Sequence, residues 1–177
     1  MDKAANKFFK KNYKNPVIEK YETDTSFTFP GLFFYSVFEK ENLAEDPLIP
    51  HIWVTTSKKH FYRTYDLEKA LEEENIIPSN EQEAFKYSRN FVKHRYNLYY
   101  YIADNQVDSD VIPEKYLKEE FYPKTEKING NYRVRIYFYY PNRRFAEFFS
   151  LYKNVLVEYI VDIDGATYKI TTEKEIK

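Results

Sequence analysis

Cysteine is absent from this chain, which removes disulfides, thiolate metal sites and a cysteine nucleophile together. Three glycines in 177 residues leave no glycine-rich loop to cradle a phosphate. Net charge is close to nil, at −1, and this argues against a dedicated nucleic-acid binder, which carries a strong basic field. No run of about 18 apolar residues occurs, so no transmembrane helix is expected. Met1 is followed at once by Asp2 and Lys3, with no signal-peptide pattern. With Met1 as the native start the expectation is a cytoplasmic protein; with an export signal upstream of it, an extracytoplasmic one.

Aromatic side chains are abundant instead, at 20% of residues, and each buries a large area. The length suits one domain over residues 1–177, divisible into an N-terminal hairpin region (1–78) and a helix-plus-sheet region (79–177). The clearest pattern lies near the carboxyl end. Tyr132, Val134, Ile136, Phe138 and Tyr140 alternate with Arg133, Arg135, Tyr137 and Tyr139, the period of a strand. Asn129-Gly130 opens that strand and Pro141-Asn142 is expected to close it. A hairpin follows: residues 155–163 alternate, Asp164-Gly165 turns, and Tyr168 and Ile170 return. Between the strands, Phe145, Phe148, Phe149 and Tyr152 fall at helical spacing, which predicts a short helix or an irregular connection.

Upstream, the longest predicted helix runs from about Asn80 to Ile102. Ser79 or Asn80 caps it, and Gln82 or Glu83 completes a capping box. Its apolar stripe, with Phe91 and Leu98, is interrupted by Arg95. Before it, Asp66 is placed as the cap of a helix through about Glu74, and residues 51–65 read as a hairpin. Residues 104–127 read as a loop, one helical turn and an edge strand from Glu119 to Ile128. Residues 1–15 form a basic helical segment, with Phe8, Phe9 and Tyr13 among five lysines. Such a helix suits a membrane surface or a partner, yet it has no longer apolar face to insert. Docking of its aromatics on the domain is therefore the favoured reading. The fold class is α+β: one antiparallel sheet with one long helix packed across it, extended by an N-terminal helix and hairpin.

Residues able to carry chemistry are few. His51 and His60 lie at opposite ends of the predicted hairpin, and His94 has no acid or histidine one turn away. Asp162 and Asp164 belong to a hairpin turn. Asp104, Asp108 and Asp110 lack the glycine of a calcium loop. No catalytic residue, metal ligand or cofactor is therefore assigned. Arg133, Arg135, Tyr137 and Tyr139 share one strand face, and tyrosine beside arginine is a device of recognition surfaces. This face is either the contact surface for a protein partner or is covered by the N-terminal third of the chain.

The Tyr65-Asp66-Leu67-Glu68-Lys69-Ala70-Leu71 segment after a hairpin, with a long helix and strands ending in Val161-Asp162-Ile163-Asp164-Gly165, resembles the PepSY and cystatin-like helix-on-sheet domains. Over about the last hundred residues the resemblance implies an extracytoplasmic binding or inhibitory domain without catalysis. The leading expectation is a non-enzymatic interaction protein. Its rival is a ligand-binding or enzymatic domain with a pocket between helix and sheet, marked by Arg95 and Tyr99. An immunity protein against a toxin also fits the size.

Overall fold

The computed structural model describes residues 3–21, 29–39, 51–96, 100–101, 112–145 and 151–176. The chain is α+β and divides into two compact units, Met1–Ile76 and Ile77–Lys177. Each is built on its own antiparallel sheet, so among the described residues two sheets and three α-helices stand where the sequence suggested one sheet and one dominant helix.

The first unit opens with α1 (Lys3–Asn12). Its sheet has the order β1 (Pro16–Tyr21), β2 (Phe33–Glu39), β3 (His51–Thr55) and β4 (Phe61–Arg63). Helix α1 buries Ala5 and Phe9, one turn apart, against Tyr35 and Val37 of β2. Phe8 stacks on Phe61 with ring centres 4.3 Å apart, and Phe9 meets the edge of Trp53 at 5.9 Å. Trp53 Nε1–H donates to the Tyr13 hydroxyl at 2.8 Å, which satisfies the one polar group of that indole. The aromatics of the N-terminal segment are thus consumed by docking. On the side of Val54 and Tyr62, α2 (Leu67–Glu73) lies against β3 and β4 and buries Leu67, Ala70 and Leu71. Asp66 precedes α2 but makes no side-chain cap; its carboxylate accepts from Lys69 Nζ at 2.7 Å.

The second unit begins with α3 (Glu81–Tyr96). Asn80 Oδ1 accepts the Glu83 N–H at 2.9 Å, and the Glu83 carboxylate reaches back to the Ser79 N–H at 2.8 Å. That is a capping box stretched by one residue: the first bond satisfies an amide that the helix start would leave unpaired, and the second ties the preceding residue to the first turn. The expected continuation to Ile102 is corrected: Tyr100–Tyr101 is a strand, β5, paired with Tyr139 and Phe138. Aromatic residues suit a pleated edge, where ladder bonds replace those a longer helix would have made.

The second sheet runs β5, β7 (Asn131–Phe145), β8 (Leu151–Asp164), β9 (Thr167–Ile176), and β6 (Lys124–Ile128) also pairs with β7. Glu119–Phe121, expected in an edge strand, is a 3-10 turn. Pro141 does not close β7. The register shifts between Tyr140 and Arg143, and pairing resumes to Phe145 opposite Leu151. Proline has no N–H to give and is tolerated at such an irregularity. Residues 146–150 of the expected short helix lie outside the described residues. The return strand β9 runs on to Ile176.

The even-numbered residues of β7 from Tyr132 to Phe138, with Val155, Val157, Tyr159 and Val161 of β8, form an apolar inner face. Helix α3 contacts β6, β7 and β8, and Phe91 and Tyr96 meet the rings of Tyr168 and Tyr159 at 5.7 and 5.3 Å. Burial pushes the Tyr159 hydroxyl far above its ordinary pKa, and that hydroxyl bonds the Tyr140 hydroxyl. Along β9, Val161 pairs with Ile170 but Ile160 pairs with Thr172, so Thr171 is an extra residue. This bulge reverses the alternation beyond it. Glu173 consequently faces inward, accepting from the Tyr96 hydroxyl at 3.1 Å, while Ile176 turns to the outer face opposite Leu156.

Candidate functional site

The outer face of the second sheet grades from charged to apolar. At the end bearing the Asn129-Gly130 and Asp164-Gly165 turns, Glu126, Arg133, Asp162 and Lys169 sit side by side across four strands, alternating in sign. Arg133 Nε donates to Asp162 Oδ1 at 2.7 Å and its Nη2 to Oδ2 at 3.1 Å, a forked pair. Hydrogen bonding from Arg133 holds the Asp162 carboxyl below the usual range, against the opposing pull of burial.

Further along, one carboxylate serves two partners. The Tyr137 hydroxyl donates to Glu158 Oε1 at 2.9 Å. Arg135 Nε lies 3.2 Å from the same oxygen but out of line for a hydrogen bond, so that attraction is coulombic. Burial, and then Glu158, pushes the Tyr137 hydroxyl up to about 12. Tyr137 and Tyr139 are only 4% and 3% exposed. Ile112, Tyr116 and Phe121 cover them, with Phe121 5.5 Å from Tyr137 and Tyr116 6.1 Å from Tyr139. The four residues singled out from the sequence do share one face. Cover comes from the 112–122 segment, which supplies apolar side chains on two 3-10 turns, Glu114–Tyr116 and Glu119–Phe121. Arg133 and Arg135 remain open to solvent. A cleft of about 440 Å³ opens beside Arg133, with Ile128, Tyr132, Asp162, Thr167 and Lys169 among its walls.

No family model, curated protein or solved structure matches this chain.

Arg95 of the rival site is half-buried, its guanidinium 5.9 Å from the centre of the Phe91 ring. An apolar stripe can carry such a charge when an aromatic face receives it. Tyr99, the Asp104–Asp110 cluster and Leu98 lie outside the described residues.

A second polar cluster, in the first unit, has no counterpart in the sequence reading. Glu73, at the end of α2, is 12% exposed at its side chain. It accepts from the Thr56 hydroxyl at 2.8 Å, the Tyr62 hydroxyl at 2.7 Å and His60 Nδ1 at 2.9 Å. An ionised carboxylate only accepts, so Nδ1 carries a proton. Burial would raise the Glu73 pKa, but the bonds from His60, Tyr62 and Thr56 outweigh it and hold the carboxyl at about 2. At neutral pH Glu73 is therefore a fixed acceptor and not an acid. His60 is 63% exposed, an imidazole oriented by a carboxylate. Among the described residues no group of three His, Cys, Asp or Glu could hold a metal ion. Partners eleven to seventeen residues apart leave no local motif.

Proposed function

We propose that the 77–177 unit is a non-catalytic partner-binding domain of the helix-on-sheet kind, similar to PepSY and cystatin-like domains, with α3 as the helix laid across β6, β7 and β8. The partner is a protein. It docks at the turn-bearing end of the outer face, on Arg133 and Arg135, with Tyr137 and Tyr139 supporting that surface from beneath their cover. One observation carries this reading: the charged row of Arg133, Asp162 and Lys169 borders a cleft of about 440 Å³, beside Ile128, which is 42% exposed. An apolar side chain rimmed by charges that already pair with one another offers both an anchor and a register for a partner.

A photo-crosslinking amino acid at Ile128, introduced in the source cells, is expected to yield one protein adduct. Arg133→Glu with Arg135→Glu is expected to abolish it while leaving the thermal transition cooperative. An adduct that survives the double replacement, or none at all, rules the surface out.

A further inference from the structure

The lysines of α1 form a second surface, independent of the first. On a helix of 100° per residue, Lys3, Lys7, Lys10 and Lys11 fall within an arc of about 100°, and Ala5 and Phe9 centre on the opposite side. The structure agrees: all four lysines are exposed, and both opposite residues are buried. Helix α1 contains no acidic residue. The first turn also lacks the acid that would complement the helix dipole. The chain as a whole carries 27 basic and 28 acidic residues, and some cations elsewhere are paired, Arg133 with Asp162 and Lys69 with Asp66. On this ridge positive charge is concentrated, and no ion pair to it occurs among the described residues.

We infer that the α1 ridge is a docking site for an anionic phospholipid surface. Three features favour a bilayer over other polyanions. Every cation on the helix is a lysine, a point charge suited to a diffuse surface field, with no arginine fork for discrete phosphates. The aromatic rings that would stack on nucleic-acid bases are engaged in the core, Phe8 with Phe61 and Phe9 with Trp53. Finally, Lys3 to Lys11 span about 12 Å along one side of a ten-residue helix, at 1.5 Å per residue, so these cations can meet a flat surface together. With its apolar side docked on the sheet, the helix rests at headgroup level and does not insert.

The test uses the full chain and vesicles of phosphatidylcholine, with or without about one-third phosphatidylserine. Binding is expected only to the anionic vesicles and weakens as salt rises. Each lysine near such a surface is worth about a fivefold gain in partitioning, so Lys7→Gln/Lys10→Gln/Lys11→Gln is expected to weaken binding about 100-fold. Trp53 fluorescence reports whether α1 stays docked in that variant. Lys58→Gln/Lys59→Gln/Lys69→Gln removes equal charge elsewhere and is expected to bind as the parent does. Equal binding to both vesicle types, no binding to either, or an equal loss in the two variants overturns the inference. Tighter binding to single-stranded oligothymidylate than to anionic vesicles overturns it too, in favour of nucleic acid.

Discussion

His60 Nδ1 lies 2.9 Å from Glu73 Oε2, thirteen residues along the chain, and ties the tip of the β3–β4 hairpin to the end of α2. Replacing Glu73 with Ala strands the hydroxyls of Thr56 and Tyr62. A loss of about 2 kcal/mol is expected in urea unfolding at pH 7. Glu73 is held at about 2, below the ordinary 4.5 of a glutamate side chain. A carboxyl depressed by folding stabilises the native state above its unfolded pKa and ceases to do so as pH falls through the folded one. The gap between parent and Glu73→Ala should therefore narrow between pH 4.5 and about 2.

Tyr137→Phe removes the hydroxyl that donates to Glu158. About 1 kcal/mol of stability is expected to go with it at pH 8. Because folding raises this hydroxyl from 10.0 to about 12, its contribution is complete below pH 10 and is lost as pH rises to about 12. Unfolding curves of the two proteins should converge across that interval.

Phe9→Ala empties a fully buried site among Tyr35, Trp53 and Phe61. The expected cost is about 3–5 kcal/mol. Trp53 fluorescence should report the lowered transition, since its indole lies against the vacated ring position.

Gly165 and Gly31 both have positive φ, +58° and +75°. Alanine at Gly165 meets open space, so only the backbone strain of about 1–2 kcal/mol is expected. At Gly31 a Cβ would lie 2.7 Å from Glu74 Oε2, and the other oxygen of that carboxylate accepts the Ser57 N–H at 2.6 Å. Gly31→Ala should cost more, by about the 1 kcal/mol of that bond, and the excess should disappear in a Glu74→Ala background.

Elements carried by period alone were legible in the sequence. The alternation from Tyr132 to Tyr140 gave the core of β7, and the aromatics Phe8 and Phe9 gave the docked side of α1. What sequence spacing could not supply was long-range pairing. Tyr100 and Tyr101 leave the predicted helix because Tyr139 and Phe138 offer them a sheet edge. Pro141 stays within β7 because the register shift absorbs its missing donor. Arg133, Arg135, Tyr137 and Tyr139 were correctly placed on one face, but Ile112, Tyr116 and Phe121 follow no period that announces a cover for half of it. Glu73 was invisible for a different reason. Its environment is assembled by three donors from a hairpin, none of them in register with α2.

The extra residue at Thr171 makes the carboxyl-terminal strand a two-sided clasp. Before it, Tyr168 and Ile170 belong to the inner layer; beyond it, Glu173 still reaches inward to Tyr96 while Ile176 closes over Leu156 on the opposite side. A cut after Thr172 would accordingly unlatch both layers at once, whereas deleting Thr171 alone would leave Thr172 opposite Ile160 and every later side chain on its present layer.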